Sequence, residues 1–500
     1  MQTQARSRSL AALGLAARNA VEAQVTGLAA DSREVREGFL FAALPGTREH
    51  GASHVGQAMQ NKAGAVLTDR DGASIAGNVL ASVDVPLVVV EEPREALALA
   101  AALWFELQPE VQVAITGTNG KTSVASFTRQ LWSEMGAEAV NVGTTGVEGA
   151  YTAPLAHTTP DPIELHGALA RIAREGVTHV AMEASSHGLA QRRVDGVRLR
   201  AAAFTNLGRD HLDYHADLDE YFAAKARLFS QVLPEDGTAV VNIDDPWGVR
   251  MVDVAETHGQ DLLTVGRSSK AALQIVGQRF DATGQELRFE WAGRIHQARL
   301  GLIGGFQAEN ALLAACLCIS TGADPEETFD SMHALQPVRG RMQFAARREN
   351  GATVFVDFAH SSEALVTALR ALRPHVLGRL IVVFGAGGDR DRGKRPLMGR
   401  AAADHADVVF VTDDNPRSED PDLIRAEILA GARDRSSDVA EVGDRAEAIL
   451  RAVDALGAGD TLLVAGKGHE TGQVVGDAIL PFDDVEQVSM AVAVLDSKGL

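Results

Sequence analysis

The fold follows from one stretch, Val111-Gln112-Val113-Ala114-Ile115-Thr116-Gly117-Thr118-Asn119-Gly120-Lys121-Thr122-Ser123. A β-branched run leads into a Gly-rich turn, and Lys121-Thr122 then opens a segment compatible with a helix. A turn of this kind presents backbone N–H groups and one ammonium to a polyphosphate. We therefore predict an ATP site in an α/β fold.

The spacing departs from the full phosphate-loop motif, because Ile115 stands where the motif has its first glycine. What remains is Gly117-x-x-Gly120-Lys121-Thr122. The alternative is an ordinary strand-to-helix turn that contains a lysine. Thr122 is placed to hold Mg²⁺, which argues against that alternative but leaves it open.

Length and composition limit the class of protein. A chain of 500 residues is too long for one core and predicts two to four domains. Its 46% hydrophobic and 23% charged residues are typical of a globular protein. The formal net charge of -20 argues against a nucleic-acid partner, which requires a basic surface. An anionic substrate would need locally clustered Arg and Lys.

The cysteines and the N-terminus bear on the compartment. Cys316 and Cys318 are the only cysteines, so neither a disulfide framework nor a zinc site is supported, which fits a reducing cytoplasm. Residues 10–17 faintly resemble a signal peptide, but the run is short and Arg18 ends it. We predict an amphipathic first helix there. No run approaches the roughly 18 to 20 apolar residues of a membrane span, so no membrane insertion is expected.

The order of strands and helices predicts three α/β domains: a small N-terminal domain over 1–108, a central phosphate-loop ATPase-like domain over 109–338, and a C-terminal Rossmann-like doubly wound domain over 339–500. The central domain includes an antiparallel meander between residues 273 and 302, after which Asn310 opens the helix that bears the cysteines.

Three candidates for catalysis lie in the central domain. Glu183 follows a predicted strand, where open α/β sheets bind ligands, and is a candidate Mg²⁺ ligand or base. Its alternative is a carboxylate that caps the next helix. Asp210-His211-Leu212-Asp213-Tyr214-His215 is dense in acid and histidine, which fits either a metal site or a solvated loop. Lys225, on a helical pattern, by itself indicates a surface or ion-paired lysine.

Three polar loops follow strands of the C-terminal domain: Gly385 to Arg390, Asp413 to Arg417, and Gly466 to Glu470. Loops at the carboxyl ends of parallel strands meet at one edge, so they predict a single binding crevice. The first loop imitates a dinucleotide fingerprint, but Arg390 stands at its last glycine position, which argues against a nicotinamide site.

These motifs together resemble the Mur ligases of peptidoglycan synthesis. The resemblance rests on Gly117-Thr118-Asn119-Gly120-Lys121-Thr122, Met182-Glu183-Ala184-Ser185-Ser186-His187, Asp210-His211-Leu212-Asp213 and Asp414-Asn415-Pro416-Arg417, in the family's order and spacing. It covers essentially the whole chain and is greatest to the member that adds meso-diaminopimelate. The phosphate loop alone would also fit folylpolyglutamate synthases and sibling Mur enzymes. The Asp-Asn-Pro-Arg loop is more specific, because lysine-adding relatives lack its Arg.

The resemblance implies a role for each matching residue. For ATP, it implies phosphate contacts from Gly117, Thr118, Asn119, Gly120, Lys121, Thr122 and Ser123, and nucleotide contacts from Asn310, Arg341 and Asp357. For Mg²⁺, it implies the ligands Thr122, Glu183, His211 and Lys225, the last as a carbamylated lysine. The implied catalytic residues are Lys121, Glu183, His211 and Lys225.

For the UDP-muramoyl dipeptide, the resemblance implies contacts from Ser32, Thr158, Thr159, Ser185, Gln191 and Arg193, with the N-terminal domain holding the UDP-sugar. For diaminopimelate, it implies Arg390, Asp414, Asn415, Pro416, Arg417, Gly466 and Glu470. Arg417 would bind the extra carboxylate that distinguishes diaminopimelate from lysine.

The resemblance therefore implies a monomeric, cytoplasmic, ATP- and Mg²⁺-dependent ligase that adds meso-diaminopimelate to UDP-MurNAc-L-Ala-D-Glu through an acyl phosphate. The rival interpretations are a sibling ligase that adds L-lysine or a folate-type glutamate, a phosphate-loop kinase or NTPase, and a non-catalytic nucleotide-binding module. A kinase or NTPase would leave the three converging C-terminal loops unexplained.

Overall fold

The computed structural model describes residues 7–18, 23–46, 49–208, 210, 214–281, 283–433 and 437–497. The chain is mixed α/β, which confirms the predicted class. It forms two compact units, Met1–Thr264 with Cys316–Ala323, and Val265–Ala315 with Asp324–Leu500. Within these described ranges, no helix combines the length and the apolar character that crossing a membrane would require.

The first unit begins with a small α/β region. Its strands are β1 Arg8–Ser9, β2 Gln24–Val25, β3 Gly27–Ala29, β4 Phe39–Ala42, β5 Ala65–Thr68 and β6 Leu87–Val89, and its helices are α1 Val55–Gln60, α2 Arg70–Ile75, α3 Gly77–Leu80 and α4 Pro93–Phe105. Strands β3 to β6 form a four-stranded parallel sheet in chain order.

The prediction of an amphipathic first helix is wrong. Only a single 3₁₀ turn, Ala11–Leu13, forms there, and it ends at Gly14 with φ 72°. Leu10, Leu13 and Leu15 are all buried. The apolar run therefore serves the core of the region as an irregular segment, and its composition alone could not show this.

A larger sheet follows in the same unit. Its strands are β7 Val111–Thr116, β8 Ala139–Gly143, β9 Gly146–Gly149, β10 His179–Glu183, β11 Ala201–Phe204 and β12 Thr238–Asn242, and its helices are α5 Lys121–Glu134, α6 Pro162–Arg174, α7 Ser186–Ala190, α8 Leu218–Arg227 and α9 Pro246–Thr257. The strand order is β12-β11-β7-β10-β8-β9, and only β9 is antiparallel to its neighbour. The carboxyl ends of β7, β8, β10 and β11 therefore share one edge.

Sequence explains this sheet. Its parallel strands are covered on both faces, so they are continuous apolar runs rather than alternating ones, as Val113, Ala114 and Ile115 show by being fully buried. Aspartates begin several of the helices: Asp161 accepts from two backbone N–H groups of α6, and Asp217 accepts from Glu220 N in α8. Such caps satisfy helix donors that would otherwise lack partners.

The boundary between the units falls within β13 Asp261–Gly266. The second unit continues with the meander β14 Leu273–Asp281, β15 Gly284–Trp291 and β16 Arg294–Leu300, which are antiparallel as predicted. Two helices follow, α10 Phe306–Ser320, whose residues from Cys316 onward belong to the first unit, and α11 Pro325–Ser331. Helix α10 begins one turn before Asn310, so the prediction that Asn310 opens this helix is wrong. Asn310 lies inside it and is buried.

The C-terminal sheet completes the second unit. Its strands are β17 Gln343–Arg347, β18 Thr353–Asp357, β19 Leu380–Phe384, β20 Val408–Val411, β21 Asp438–Glu441 and β22 Thr461–Ala465, followed by the hairpin β23 Gly472–Val475 and β24 Ala478–Pro481. The helices are α12 Ser362–Leu372, α13 Lys394–His405, α14 Pro421–Ala432, α15 Arg445–Asp454 and α16 Asp484–Ser497. The order β17-β18-β22-β19-β20-β21 is parallel except at β17.

This sheet confirms the doubly wound pattern. The three polar loops that were predicted to follow strands do follow β19, β20 and β22, while the more polar edge strands β17 and β21 were not predicted. The loops after β19, β20 and β22 emerge at the same edge because these strands are parallel neighbours. That edge carries the candidate site of the second unit.

Candidate active site

The phosphate loop joins β7 to α5 in the first unit. Gly117 and Gly120 adopt φ 146° and φ 88°, conformations that glycine reaches without strain. The loop is held from the neighbouring strand β11: Thr118 N donates to Asn206 O over 2.8 Å, and Asn119 N donates to Asn206 Oδ1 over 3.0 Å. Helix α5 has no acidic residue in its first turn, so its N-terminus favours an anion.

Gly117 leaves no room for a side chain. A Cβ added there would lie 1.9 Å from Thr205 Oγ1 and 3.0 Å from Asn206 O. We expect Gly117→Ala to distort the loop and to weaken ATP binding by about 10-fold or more, because strain and overlap both fall on the phosphate-binding backbone. Equilibrium titration with ATP measures this.

Gly136→Ala is the matched control. Gly136 also has positive φ, 86°, but a Cβ there would meet no atom within 4 Å. It should therefore leave ATP affinity unchanged. Equal weakening in both variants would show that positive φ, rather than the close approach at Gly117, is responsible.

Two lysines converge on the loop. Lys121 Nζ donates to Gly117 O over 2.9 Å and to Thr118 O over 2.8 Å. Lys225 Nζ, from α8, donates to the same Gly117 O over 2.7 Å and lies 4.5 Å from the centre of the Tyr221 ring. The turn thus brings two amines to one carbonyl, beside backbone N–H groups suited to phosphate.

Lys225 is 1% exposed, so the interpretation as a surface lysine is wrong. Burial, and after it the nearby charge of Lys121, holds the pKa of the Lys225 amine well below its usual range. The amine is therefore more readily neutral, and hence nucleophilic, than an exposed lysine.

Glu183 ends β10 beside the phosphate loop and is 3% exposed. Its Oε2 accepts from Thr122 Oγ1 over 3.0 Å and from Thr144 Oγ1 over 3.3 Å, and its Oε1 accepts from Thr144 N over 2.8 Å. The helix-capping alternative is wrong, because Ser185 caps α7 by accepting from Gly188 N. Gly143 is required next to the carboxylate, since a Cβ there would lie 2.0 Å from Glu183 Oε1.

The Thr122 hydroxyl and the Glu183 carboxylate are oxygen groups of the kind that Mg²⁺ prefers. The structure joins them directly by the hydrogen bond between Thr122 Oγ1 and Glu183 Oε2. Among the described residues, no group of three His, Cys, Asp or Glu side chains could hold a metal. Mg²⁺ ordinarily uses one or two carboxylates with phosphate and water, so the residues present fit it. The predicted ligand His211 and its neighbours Leu212 and Asp213 lie outside the described residues.

Several predicted substrate contacts form one hydrogen-bonded group with Glu183. Thr159 Oγ1 donates to Glu183 O over 3.0 Å and accepts from Ser185 N over 3.0 Å. Thr158 Oγ1 lies 3.0 Å from Thr144 Oγ1. Arg193 Nη1 donates to Thr159 O over 2.7 Å, and Arg193 Nη2 donates to Gln191 Oε1 over 2.8 Å. The hydroxyls of Thr122 and Thr144 thus contact the Glu183 carboxylate, and Arg193 is linked to Glu183 through Thr159.

Ser32 has different partners. Its hydroxyl donates to Gln57 Oε1 over 2.8 Å, and its carbonyl accepts from Asn61 Nδ2 over 2.9 Å, both in the N-terminal region. It is 6% exposed. These contacts order Ser32 within its own α/β region.

The predicted nucleotide contacts Asn310, Arg341 and Asp357 belong to the second unit. Asn310 Nδ2 donates to Gln307 Oε1 over 2.9 Å. Asp357 accepts from Met342 N over 2.7 Å and from Ala359 N over 2.9 Å. Burial raises the pKa of the Asp357 carboxyl, against the opposing effects of the Arg341 charge and these two N–H groups.

The loops after β20 and β22 bring together several residues that were predicted to bind the amino acid. Asn415 Nδ2 donates to Glu470 Oε2 over 2.9 Å, while Lys467 Nζ donates to Asn415 Oδ1 over 3.0 Å and to Glu470 Oε2 over 3.3 Å. A Cβ on Gly466 would lie 2.5 Å from Asp414 Oδ2, so glycine is required for the carboxylate to approach. The predicted residues Asp414, Asn415, Gly466 and Glu470 are thus together.

Arg417 is at the mouth of the same loops. Its Nη1 donates to Gly388 O over 2.8 Å. Its backbone has φ 53° and forms two hydrogen bonds: Arg417 N donates to Val474 O over 3.0 Å, and Arg417 O accepts from Gly476 N over 2.7 Å. The Pro416 carbonyl requires glycine at 388, where a Cβ would approach it to 1.9 Å. Arg390, after β19, is exposed. The hydrogen bond from Arg417 to Gly388 O joins the loops after β19 and β20, and the single crevice stays a prediction.

Sequence reasoning missed Thr144 and Lys467. Thr144 follows β8, whose carboxyl end shares an edge with β7 and β10, and this position was the signal that could have identified it. Lys467 lies within the polar loop from Gly466 to Glu470, but its complete burial depends on packing that no local sequence pattern reveals.

Models of three protein-family domains match the chain in sequence order. They are the catalytic domain of the Mur ligase family over residues 24–104, the Mur ligase middle domain over 115–318, and the Mur ligase glutamate ligase domain over 340–468. Together they span most of the chain.

Curated relatives match over nearly the full length. The UDP-N-acetylmuramoyl-L-alanyl-D-glutamate--2,6-diaminopimelate ligase of Brucella melitensis is 49% identical over 482 residues, 96% of each protein. The ligase of the same name from Bradyrhizobium diazoefficiens is 48% identical over 476 residues, 94% of this chain and 95% of the relative.

A solved structure of a UDP-N-acetylmuramoyl-L-alanyl-D-glutamate--2,6-diaminopimelate ligase has a TM-score of 0.69 and 34% identity, and the match covers 94% of this chain and 95% of that one. A MurF ligase from Thermotoga maritima in complex with ADP has a TM-score of 0.61 at 17% identity, covering 95% of this chain and 98% of that one, which shows likeness of fold alone.

Proposed function

The chain belongs to the Mur ligase family, and from that premise we propose that it is an ATP-dependent ligase that joins meso-diaminopimelate to the D-glutamate of UDP-N-acetylmuramoyl-L-alanyl-D-glutamate. The observation that carries the proposal is its 49% identity, over 96% of its length, to a ligase named for these two substrates. The pocket that contains Asp414, Asn415, Arg417 and Glu470 supports it independently.

We assign a separate binding role to each of three domains. Residues 1–108 hold the UDP-sugar, residues 109–338 bind ATP and the dipeptide carboxylate, and residues 339–500 bind the amino acid. Each family model matches within one of these ranges, which supports the boundaries. ATP is available in the cytoplasm, where we place the protein.

The reaction needs ATP because forming an amide from a carboxylate in water is uphill. The D-glutamate side-chain carboxylate attacks the γ-phosphorus of ATP, ADP leaves, and an acyl phosphate results. The amine of diaminopimelate then attacks the acyl carbon and displaces phosphate. Both steps move negative charge between oxygens, so positioned cations and N–H groups lower their barriers.

In the first step the loop from Gly117 to Ser123 holds the ATP phosphates by its backbone N–H groups. Lys121 turns its ammonium from the Gly117 and Thr118 carbonyls to the β- and γ-phosphate oxygens. Its anchor is only one residue beyond Gly120, so this needs a side-chain rotation and no movement of α5. Lys121 thereby offsets the charge that develops as the phosphoryl group moves.

Thr122, Glu183, His211 and a carbamylated Lys225 would hold Mg²⁺, which supplies charge neutralisation at the phosphate oxygens. Carbamylation needs a neutral amine, which attacks the carbon of CO₂, loses a proton and becomes an N-carboxylate. The lowered pKa of Lys225 favours that amine. The modification would convert the buried amine, which lies near the charge of Lys121, into a carboxylate.

The dipeptide carboxylate is expected beside Glu183, where Thr158, Thr159, Ser185, Gln191 and Arg193 meet. Arg193 supplies the cation for an acidic substrate, and burial lowers its pKa without removing its charge. On an acidic chain of net charge -20, such local cations are what an anionic substrate requires. Ser32 is expected to contact the UDP-sugar part of the substrate.

The second unit selects the amino acid. One end of diaminopimelate provides the attacking amine, and the other end carries the carboxylate that lysine lacks. Arg417 and Arg390 offer guanidinium groups to this carboxylate, and Asp414 and Glu470 offer acceptors to the ammonium beside it.

We expect Glu183→Gln to lower kcat about 100-fold, because it removes the charge that serves the metal while its remaining carbonyl still accepts from Thr144 N. The thermal unfolding midpoint should change little for that reason. The exposed Glu256→Gln, in the same unit, is the control for loss of one negative charge. Wild-type kcat in Glu183→Gln would exclude a catalytic role for its carboxylate.

Two products test the proposed function. With ATP, Mg²⁺, UDP-MurNAc-L-Ala-D-Glu and meso-diaminopimelate, mass spectrometry should show the nucleotide peptide heavier by one diaminopimelate residue. With hydroxylamine in place of the amino acid, the acyl phosphate should be trapped as the hydroxamate. ATP hydrolysis without either product would instead identify a phosphate-loop NTPase.

A further inference from the structure

Lys467 is the one described lysine of the second unit's pocket and is 0% exposed. A buried ammonium needs several partners, because burial of an unpaired charge is costly. Its Nζ donates to Asn415 Oδ1 over 3.0 Å and to Glu470 Oε2 over 3.3 Å. The proposed function assigns both partners to the binding of the amino acid.

Lys467 fixes which way the Asn415 amide faces. Lys467 Nζ and Val474 N lie 3.0 Å and 2.9 Å from the same amide atom of Asn415. Because both are donors, that atom must be the oxygen, Oδ1. Asn415 Nδ2 then faces Glu470 Oε2, to which it donates one hydrogen. Its second hydrogen remains for an acceptor on a ligand, and Glu470 Oε1 remains for a donor.

Lys467 also sets the charge of the pocket. Lys467 places a positive charge 3.3 Å from Glu470 Oε2, on the carboxylate expected to accept from the ligand's ammonium. Arg417 and Arg390 add two guanidinium groups for a ligand carboxylate. The neighbouring Arg445 forms a fully buried pair with Asp484, Arg445 Nη2 to Asp484 Oδ2 over 2.7 Å, and its charge also acts on Asp414 and Glu470. With the charge of Glu470 offset in this way, the pocket favours a ligand end that is itself neutral overall, such as an ammonium with a carboxylate. It does not favour a bare ammonium, which Lys467 repels.

We propose that Lys467 is a specificity-determining positioning residue, whose buried ammonium orients Asn415 and Glu470 and makes the pocket select a zwitterionic amino-acid end over a bare ammonium. The inference rests on the proposed function. Each end of diaminopimelate carries an ammonium and a carboxylate, whereas the side chain of L-lysine ends in an ammonium alone. Lys467 thus disfavours lysine by repulsion, while Arg417 favours diaminopimelate by attraction.

The test compares kcat/KM for meso-diaminopimelate with kcat/KM for L-lysine in Lys467→Met, Lys467→Gln and Lys467→Arg. We expect the ratio to fall about 10-fold in the Met and Gln variants, which leave the pocket with an uncompensated carboxylate. Lys467→Arg should keep the wild-type ratio even if both values fall. The KM for ATP and for the UDP substrate should not change. Lys270→Met, an exposed site in the same unit, is the control for loss of a lysine.

The outcomes separate this inference from the proposed function. A purely structural role would lower activity with both amino acids equally, so an unchanged ratio in Lys467→Met and Lys467→Gln would overturn the inference alone. Loss of the ratio in Lys467→Arg would also overturn it, because that variant retains the charge. If Lys467→Met does not fold, Lys467→Gln decides, since it keeps a donor toward Asn415. A wild-type enzyme that shows no dependence on diaminopimelate would overturn the proposed function and the inference with it.

Discussion

Replacing Lys121 by alanine is expected to lower the rate of amino-acid-dependent phosphate release about 10³-fold, the scale of effect when a group that stabilises charge in phosphoryl transfer is removed. In the structure its ammonium is held by the Gly117 and Thr118 carbonyls, at the turn that we propose binds the phosphates. The loss should therefore fall mainly on kcat. Steady-state phosphate release measures it.

Lys62→Ala is the matched control for Lys121→Ala. Lys62 lies in the same unit, but it is exposed and its ion pair with Glu37 is at the surface, Lys62 Nζ to Glu37 Oε2 over 2.8 Å. It should retain the wild-type rate. A Lys121→Ala variant that retained most of its activity would refute the assignment of the phosphate loop as the site of chemistry. If that variant changed only the binding of a partner, the chain would be a non-catalytic nucleotide-binding module.

Replacing Arg417 by alanine is expected to lower kcat/KM for meso-diaminopimelate about 100-fold and to leave kcat/KM for L-lysine nearly unchanged. The reason is that a guanidinium binds a carboxylate through two parallel hydrogen bonds, which only diaminopimelate can use. A site built for a polar group rejects the analogue that lacks it, since its own polar atoms then remain without partners. Competition between the two amino acids gives the ratio directly.

Arg400→Ala serves as the control for Arg417→Ala, because Arg400 is an exposed arginine on α13 in the same unit. The Arg417 backbone should keep its place in the variant, because its bonds to Val474 O and Gly476 N involve no side chain. Equal losses with both amino acids would show that Arg417 orders the loop without reading the carboxylate.

Much of the fold could be predicted because the parallel strands are buried on both faces. Continuous apolar runs such as Leu380 to Phe384 and Thr461 to Ala465 are typical of such buried parallel strands. The edge strands β17 and β21 could not be predicted in this way, because one side of each is open and their residues are half-exposed or exposed. Their pairing is set by neighbours distant in sequence.

Two helix predictions failed for local reasons. At residues 10–17 the alanines and leucines suit a helix, but Gly14 takes positive φ and the leucines instead serve the core of the small α/β region. At Asn310, a residue type that favours helix starts lies within α10, where its amide bonds to Gln307 one turn earlier.

The candidate site was predictable where chemistry follows strand ends. Lys121, Thr122 and Glu183 come directly after strands that share one edge, and the loops with Asp414, Arg417 and Glu470 do so in the second unit. Thr144 was missed because one threonine after a strand is a weak signal. The burial of Lys225 and Lys467 was hidden because a lysine in a helix or a loop is ordinarily exposed, and only the assembled packing encloses them.

The central claim is best tested by phosphate release from ATP with UDP-MurNAc-L-Ala-D-Glu present, comparing meso-diaminopimelate with L-lysine in the wild-type protein. We expect phosphate release that requires diaminopimelate and is far slower with lysine at the same concentration. Equal release with lysine, or release with no amino acid, would contradict the assignment of the second unit's pocket to diaminopimelate.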